Sequence, residues 1–226
     1  IVVAERFNRL DFRDPHTWNL IKSVPIPHNG PDHLDYSADG RYLLISCEFS
    51  GWMVKVDVER MEVVGDLKVG GSPVDVRLSP DGTVFFVANQ NRPGHKDGVS
   101  VIDGETLQEI DFIRAGKGTH GLYFSRDARQ LYATNRLEGS VSVIDPSTRK
   151  VTGTWKIPGG GSPDMGGVSA DGTQFWVTGR NNASVYVFDT SNGNLLARIA
   201  VGKGAHGLCL FPQPGRFSLG HTGNYR

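Results

Sequence analysis

One pattern recurs along the 226-residue chain and constrains its fold more than any other: an alternating apolar strand that ends in aspartate and runs into a turn. It reads Leu10-Asp11-Phe12-Arg13-Asp14, then Met53 to Asp57, Val99 to Asp103, Val141 to Asp145 and Val185 to Asp189. The closing aspartates stand 43, 46, 42 and 44 residues apart. A period of that length marks a repeated supersecondary unit, which buries its faces by stacking on its neighbours.

Two more signals keep a fixed phase to the first. Ser37-Ala38-Asp39-Gly40, Ser79-Pro80-Asp81-Gly82, Ser125-Arg126-Asp127-Ala128 and Ser169-Ala170-Asp171-Gly172 each join two apolar runs. Asp-Gly between strands is a hairpin signal, because glycine accepts positive φ without steric cost. Ala128 breaks the pattern and predicts a different or mildly strained turn. Gly30-Pro31-Asp32-His33, Gly71-Ser72-Pro73-Val74, Gly118-Thr119-His120, Gly161-Ser162-Pro163-Asp164 and Gly204-Ala205-His206 close the units.

Between these marks lie four β-rich segments per unit, in the second unit Leu34–Ser37, Tyr42–Cys47, Met53–Asp57 and Met61–Val69. No helix-period stretch exceeds two turns. Four strands per repeat of this period predict an all-β chain, a β-propeller of four-stranded antiparallel blades. The repeats run over about 1–33, 34–75, 76–120, 121–165 and 166–207, with a partial unit over 208–226. Residues 1–26 supply the last three strands of a blade, and Leu208–Phe211 with Arg216–His221 supply the first two of another. Both ends therefore bring a second strand and cannot share one blade. The expectation is a single propeller domain, N-terminally incomplete, with about five of seven blades present and a monomer when complete.

Balanced charge, with 24 basic and 24 acidic side chains, gives no footprint for nucleic acid. No apolar run reaches the length of a membrane helix, so no membrane insertion is expected. Cys47 and Cys209 fall in blades that are not neighbours and read as two buried small side chains. Trp18, Trp155 and Trp176 read as blade core. Gly116-Lys117-Gly118-Thr119 has the wrong spacing for a phosphate loop, and no Gly-x-Ser-x-Gly, His-Glu-x-x-His or Cys-x-x-Cys occurs.

With strands labelled A to D from the axis outward, the D–A and B–C loops share one face around the channel. Aligning the A strands on Ser37, Ser79, Ser125 and Ser169 puts Asp32, Val74, His120, Asp164 and His206 in one column. The next holds His33, Asp75, Gly121, Met165 and Gly207. Carboxylates and imidazoles together suit a divalent ion such as zinc, manganese or iron, with Asp32, His33, Asp75, His120, Asp164 and His206 as candidate ligands. The same columns also read, and more simply, as a wet channel mouth where polar side chains bind water. Arg6, Glu48, Gln90, Arg136 and Arg180 share one position after the B strands, and arginines there could clamp a carboxylate or phosphate. Those arginines also read as loop residues pairing with Glu48 and Glu138. The longest such loop, Asn89 to Gly98, carries Arg92, His95 and Lys96.

Tyr132-Ala133-Thr134-Asn135 followed by Ser140-Val141-Ser142-Val143-Ile144-Asp145 resembles the YVTN-repeat β-propellers. Phe86-Val87-Ala88-Asn89 and Trp176-Val177-Thr178-Gly179 are looser copies, and the stretch from Pro212 to Arg226 resembles the end of the YncE-like bacterial seven-bladed subgroup. The resemblance implies an exported, periplasmic or extracellular protein, although the chain starts Ile1-Val2-Val3 with no signal peptide. Its structural kin, as the resemblance implies, include lactonase-type, amine-dehydrogenase and haem-d propellers. The leading expectation is a non-catalytic propeller that binds a small ligand or protein partner at the channel mouth. The alternatives are a metal-dependent lactonase-type hydrolase, and a redox role with a haem-like cofactor on His120 or His206.

Overall fold

The computed structural model describes residues 1–90 and 97–211 and the short strands at 218–219 and 224–225. Its first sheet has three strands, β1 (Val2–Ala4), β2 (Arg9–Arg13) and β3 (Leu20–Pro25). Four antiparallel four-stranded sheets follow. They are β4 (Pro31–Tyr36), β5 (Tyr42–Cys47), β6 (Trp52–Asp57) and β7 (Glu62–Lys68); and β8 (Ser72–Leu78), β9 (Val84–Gln90), β10 (Gly98–Asp103) and β11 (Glu109–Arg114). Then come β12 (Thr119–Phe124), β13 (Leu131–Asn135), β14 (Ser140–Asp145) and β15 (Lys150–Lys156); and β16 (Pro163–Val168), β17 (Gln174–Gly179), β18 (Ser184–Asp189) and β19 (Leu195–Ala200). Within every sheet the order follows the chain, as in a propeller blade. A two-stranded ribbon, β20 (Ser218–Leu219) with β21 (Asn224–Tyr225), closes the described chain.

The chain divides into two compact units, residues 1–96 with 100–112, and 97–99 with 113–226. In the first unit, Leu10, Phe12, Leu43, Ile45, Val54 and Val56 form one core between successive sheets. Leu44, Met53, Val76, Phe85 and Ile102 form the next, on the other face of the second sheet. The alternation of Leu43, Leu44 and Ile45 between the two clusters is the period-2 pleat burying both faces. In the second unit an aromatic core packs Phe175 against Tyr123 and Tyr132, each with ring centroids 5.4 Å away, and against Trp155 at 6.5 Å.

The turn signals act as their chemistry requires. In Ser-x-Asp, the serine hydroxyl donates to the aspartate two residues on, at 2.5–2.7 Å in all four copies. The aspartate that ends each third strand accepts amides of the following turn, as Asp103 does from Thr106 at 2.7 Å and Asp57 from Arg60 at 2.9 Å. Ala128 keeps the turn of its glycine counterparts by adopting φ +59°, close to Gly40 at +72° and Gly82 at +77°. It is therefore a strained copy of the same turn.

The tetrapeptide asparagine is structural. Asn135 donates to the hydroxyls of Ser140 at 3.0 Å and Ser142 at 2.9 Å and accepts the Gly116 amide at 3.2 Å. Asn89 donates to Ser100 at 2.8 Å in the same way. In the fifth sheet the pair is exchanged as a unit: Gly179 replaces the asparagine and Tyr186 the serine, and a Cβ on Gly179 would stand 2.5 Å from the Tyr186 ring.

Four expectations are corrected. Trp18 lies in the turn after β2 with φ +62° and is 67% exposed, so it is no core residue. Cys47 is buried, but Cys209 is exposed, and both are free thiols. The first strands start earlier than expected, β4 at Pro31 rather than Leu34, so the candidate columns lie on strands except at His206 and Gly207. Residues 208–211 form no strand, because among the described residues no second strand hydrogen-bonds to them. The Arg216–His221 strand falls largely outside the described residues, which retain β20 from it. The loop bearing Arg92, His95 and Lys96 lies outside them entirely.

Replacing Ala128 with Gly removes a left-handed strain of about 1–2 kcal/mol, offset in part by glycine's freedom in the unfolded chain. The net expected gain, read from urea unfolding, is about 0.5–1 kcal/mol. Gly179→Asn alone overpacks against Tyr186 and is expected to cost about 1–3 kcal/mol. Combined with Tyr186→Ser, which rebuilds the asparagine–serine pair, it should cost less than the two single changes added, by about 1 kcal/mol or more. Strict additivity would mean that the two positions do not share this space.

Candidate functional site

The register of every four-stranded sheet slips at one place near the start of its first strand. The breaks fall between Pro31 and Leu34, Pro73 and Val76, Thr119 and Leu122, and Pro163 and Gly166. The residues inside these bulges are Asp32 and His33, Val74 and Asp75, His120 and Gly121, and Asp164 and Met165, the two candidate columns. A bulge takes residues out of the ladder and re-aims their side chains.

The freed peptide groups are met by a hydroxyl on the second strand. Ser46 accepts the His33 amide and donates to its carbonyl, both at 3.1 Å. Thr134 accepts the Gly121 amide at 2.8 Å and donates across to the Asp164 carbonyl at 2.8 Å. Thr178 accepts the Met165 amide at 3.2 Å and donates to the His206 carbonyl at 2.6 Å. The threonine of the tetrapeptide thus ties each bulge in the second unit to the next stretch of chain. Neither Thr134 nor Thr178 was a site candidate from sequence, although their fixed phase to the columns was visible.

In the second unit these ties gather four candidates around the carboxyl of a fifth, Asp164. Asp164 is fully buried, and its Oδ1 lies 3.0 Å from His120 Nδ1 and 3.3 Å from Arg136 Nη1. Its Oδ2 lies 3.6 Å from Arg180 Nη1 and 3.8 Å from His206 Nε2, with no hydrogen bond of its own. Asp164 and His120 form a floor, while Arg136, Arg180 and His206 are partly exposed and form walls. Burial raises the Asp164 carboxyl above its ordinary range, and the two guanidiniums oppose that shift. Burial, then Arg180 and Arg136, push the His206 imidazole below its ordinary range and so favour its neutral form. Two permanent cations beside one carboxyl leave the bowl with a net positive charge, suited to an anion.

In the first unit the same positions build a different arrangement. His33 stands between two carboxyls, its Nε2 3.5 Å from Asp32 and its Nδ1 3.6 Å from Asp75. Because opposite ring nitrogens face them, Asp32, His33 and Asp75 do not converge on one point, and the six-residue ligand set of the sequence divides. Asp75 is instead committed to Arg77, 2.7 Å away and two residues on, on the same strand face. Period-2 alternation would have exposed that partner. Gln90 donates to Glu48 at 3.3 Å. Arg6 is exposed in a 3₁₀ turn, Glu5–Phe7, and the neighbouring Glu5 adds, after Glu48, to the negative charge felt by Asp32.

A family described as YNCE-like beta-propeller matches residues 93–214. The protein called Uncharacterized protein YncE of Salmonella typhi is 32% identical over 111 residues, covering 47% of this chain and 31% of that protein. Its counterpart in Escherichia coli O157:H7 is 33% identical over 104 residues, covering 44% and 29%. The matched stretch therefore spans less than a third of these bacterial relatives. Among solved structures, Kuenenia stuttgartiensis hydrazine synthase is similar with a TM-score of 0.75 at 21% identity, covering 88% of this chain and 62% of that one. A functionally unknown protein from Desulfotomaculum acetoxidans has a TM-score of 0.75 at 15% identity, covering 92% and 68%. Dihydro-heme d1 dehydrogenase NirN, solved in complex with DHE, has 0.69 at 17%, covering 89% and 44%. At these identities the likeness is one of fold. Among the described residues no helix is long and apolar enough to cross a membrane.

Burial raises the Asp32 carboxyl to about 7, and Glu48, Glu5 and Asp75 add to the shift. A raised carboxyl keeps its proton in the folded state while the unfolded chain releases it. The Asp32 contribution to stability should therefore fall as pH climbs from about 4 to about 7 and stay lower above. Asp32→Asn is expected to match the parent near pH 4 and to exceed it at pH 8 by about 1–3 kcal/mol in urea unfolding. An offset independent of pH would mean that Asp32 ionises normally.

Proposed function

The chain belongs to the YncE-like β-propellers, and from that premise we propose that it is a non-catalytic binding propeller whose second unit holds a small carboxylate- or phosphate-bearing ligand. The observation that carries this reading is the approach of Arg136 and Arg180, from the loops after β13 and β17, to the single carboxyl of Asp164. Asp164 anchors both guanidiniums but uses few of their donors, since each arginine has five N–H groups in a planar fork. The remaining donors match the paired oxygens of a carboxylate or phosphate.

Burial below and exposure above give the bowl a direction. The Asp164–His120 floor sits away from water, where charge-assisted bonds are strongest, while the arginines remain reachable. Leu137, next to Arg136 in the same loop, is 64% exposed and would meet an apolar body attached to the anionic group. The bowl supplies charge and donors, with imidazoles, guanidiniums and one buried carboxyl as its members. Export to the periplasm or the medium, as the family resemblance implies, is part of the same proposal.

Calorimetry and thermal shift with small mono-, di- and tricarboxylates and with phosphate, each against its neutral amide or ester, test this reading. Carboxylates or phosphate should bind, and Arg136→Gln and Arg180→Gln should each weaken binding about tenfold or more. Equal binding of the neutral analogues, or affinity unchanged in both variants, would overturn it.

A further inference from the structure

The anion-binding reading leaves one buried atom unexplained. Asp164 Oδ2 makes no hydrogen bond, yet the side chain is 0% exposed. An unmet buried acceptor costs about 1–3 kcal/mol, so a native protein keeps one where something else meets it. The groups nearest this carboxyl include two imidazoles. His120, Asp164 and His206 each present one ligand atom, and these atoms all lie within 4.8 Å of one another.

The spacing comes close to that around an ion, with one short closure left for His206. Nitrogen and oxygen ligands about 2.1 Å from a zinc-like ion stand roughly 3.0–3.4 Å apart. The floor pair, His120 Nδ1 and Asp164 Oδ1, is already at 3.0 Å, and His206 Nε2 is 3.8 Å from Asp164 Oδ2. His206 is 40% exposed, so its ring has room to close the remaining gap, and its backbone is held by the Thr178 hydroxyl. Two imidazoles and one carboxylate are a donor set for zinc or iron(II), with coordination positions left open.

We propose that His120, Asp164 and His206 bind a divalent transition-metal ion whose open positions face Arg136 and Arg180. Charge then dictates how the site behaves. One carboxylate does not balance a divalent ion beside two guanidiniums, so the ion alone binds against repulsion. An anion lying on the arginines and the ion together removes that repulsion. Metal and anion should therefore bind cooperatively, each tightening the other by the same factor. Only this coupling rests on the proposed anion-binding function; the metal site stands on its own geometry.

Cobalt(II) titrated into the metal-stripped full chain, followed by calorimetry and by visible absorption, tests the ion without any anion present. About one equivalent should bind, and His206→Ala and Asp164→Asn should each lower the affinity about tenfold or more. Arg180→Gln should act in the opposite direction, tightening cobalt about threefold by removing a nearby cation. Circular dichroism establishes that each variant is folded. Absence of stoichiometric cobalt binding, or binding unchanged by both ligand substitutions, would sink the metal site. Arginine-dependent anion binding in chelator would in that case leave the proposed function standing. If cobalt binds as expected but no anion of the panel tightens it, the metal site holds and the coupling to anion binding fails.

Discussion

A single hydroxyl near the end of the second strand is the interaction on which the site depends in three of the four four-stranded sheets. A first strand that bulges withdraws two peptide groups from the ladder, and buried peptide groups must find partners. Ser46, Thr134 and Thr178 provide them, and the two threonines also reach the next stretch of chain through the Asp164 and His206 carbonyls. Where the third sheet has Ala88 in that position, another device appears. Asp75 accepts the Val76 amide at 3.0 Å and Arg77 donates to the Val76 carbonyl at 2.6 Å, so an ion pair serves the backbone beside the bulge. That substitution draws Asp75 into a structural role and takes it out of the candidate site.

The bulge explains why charged groups sit at a buried place at all. Ladder residues are fixed by pairing, and their side chains alternate between the two apolar cores of a blade. Bulge residues escape that alternation, and Asp164 and His120 can face each other at 3.0 Å while nearly or fully buried. A carboxyl so buried is tolerated because Arg136 and Arg180 approach it from successive loops. Breaking such a group by removing one partner costs far more than the pair contributes. The arginines are therefore bound to the fold as well as available to a ligand, which keeps them preorganised.

Much of this was legible in the sequence, and the reasons for success and failure are physical. The Ser-x-Asp turns and the strand-ending aspartates were readable because each is a local hydrogen-bonding device within five residues. The columns containing Asp164, His120 and His206, and separately Arg136 and Arg180, were readable because a repeat preserves phase. That the two columns meet at Asp164 was hidden, since phase carries no distance. Arg6 was placed by counting, but the 3₁₀ turn Glu5–Phe7 leaves it exposed, and its neighbour Glu5 acts on Asp32 after Glu48. Trp18 misled because an aromatic residue after a strand normally packs, while this one follows an aspartate turn that turns it outward at positive φ.

The two units show what such a repeat permits. Equivalent bulge positions hold Asp32 and His33 among carboxyls in the first unit and Asp164 among guanidiniums in the second. The surrounding backbone is nearly the same, with the same register slip and the same hydroxyl position in the second strand. The residues that hold the blade are the Ser-x-Asp turn, the strand-ending aspartate and the second-strand hydroxyl. The residues that carry charge are the bulge pair and the first residue after the second strand. These sets barely overlap, so charge can reverse between blades without changing what the blade is. A resemblance written in the first set specifies the propeller, and the ligand is specified by the second.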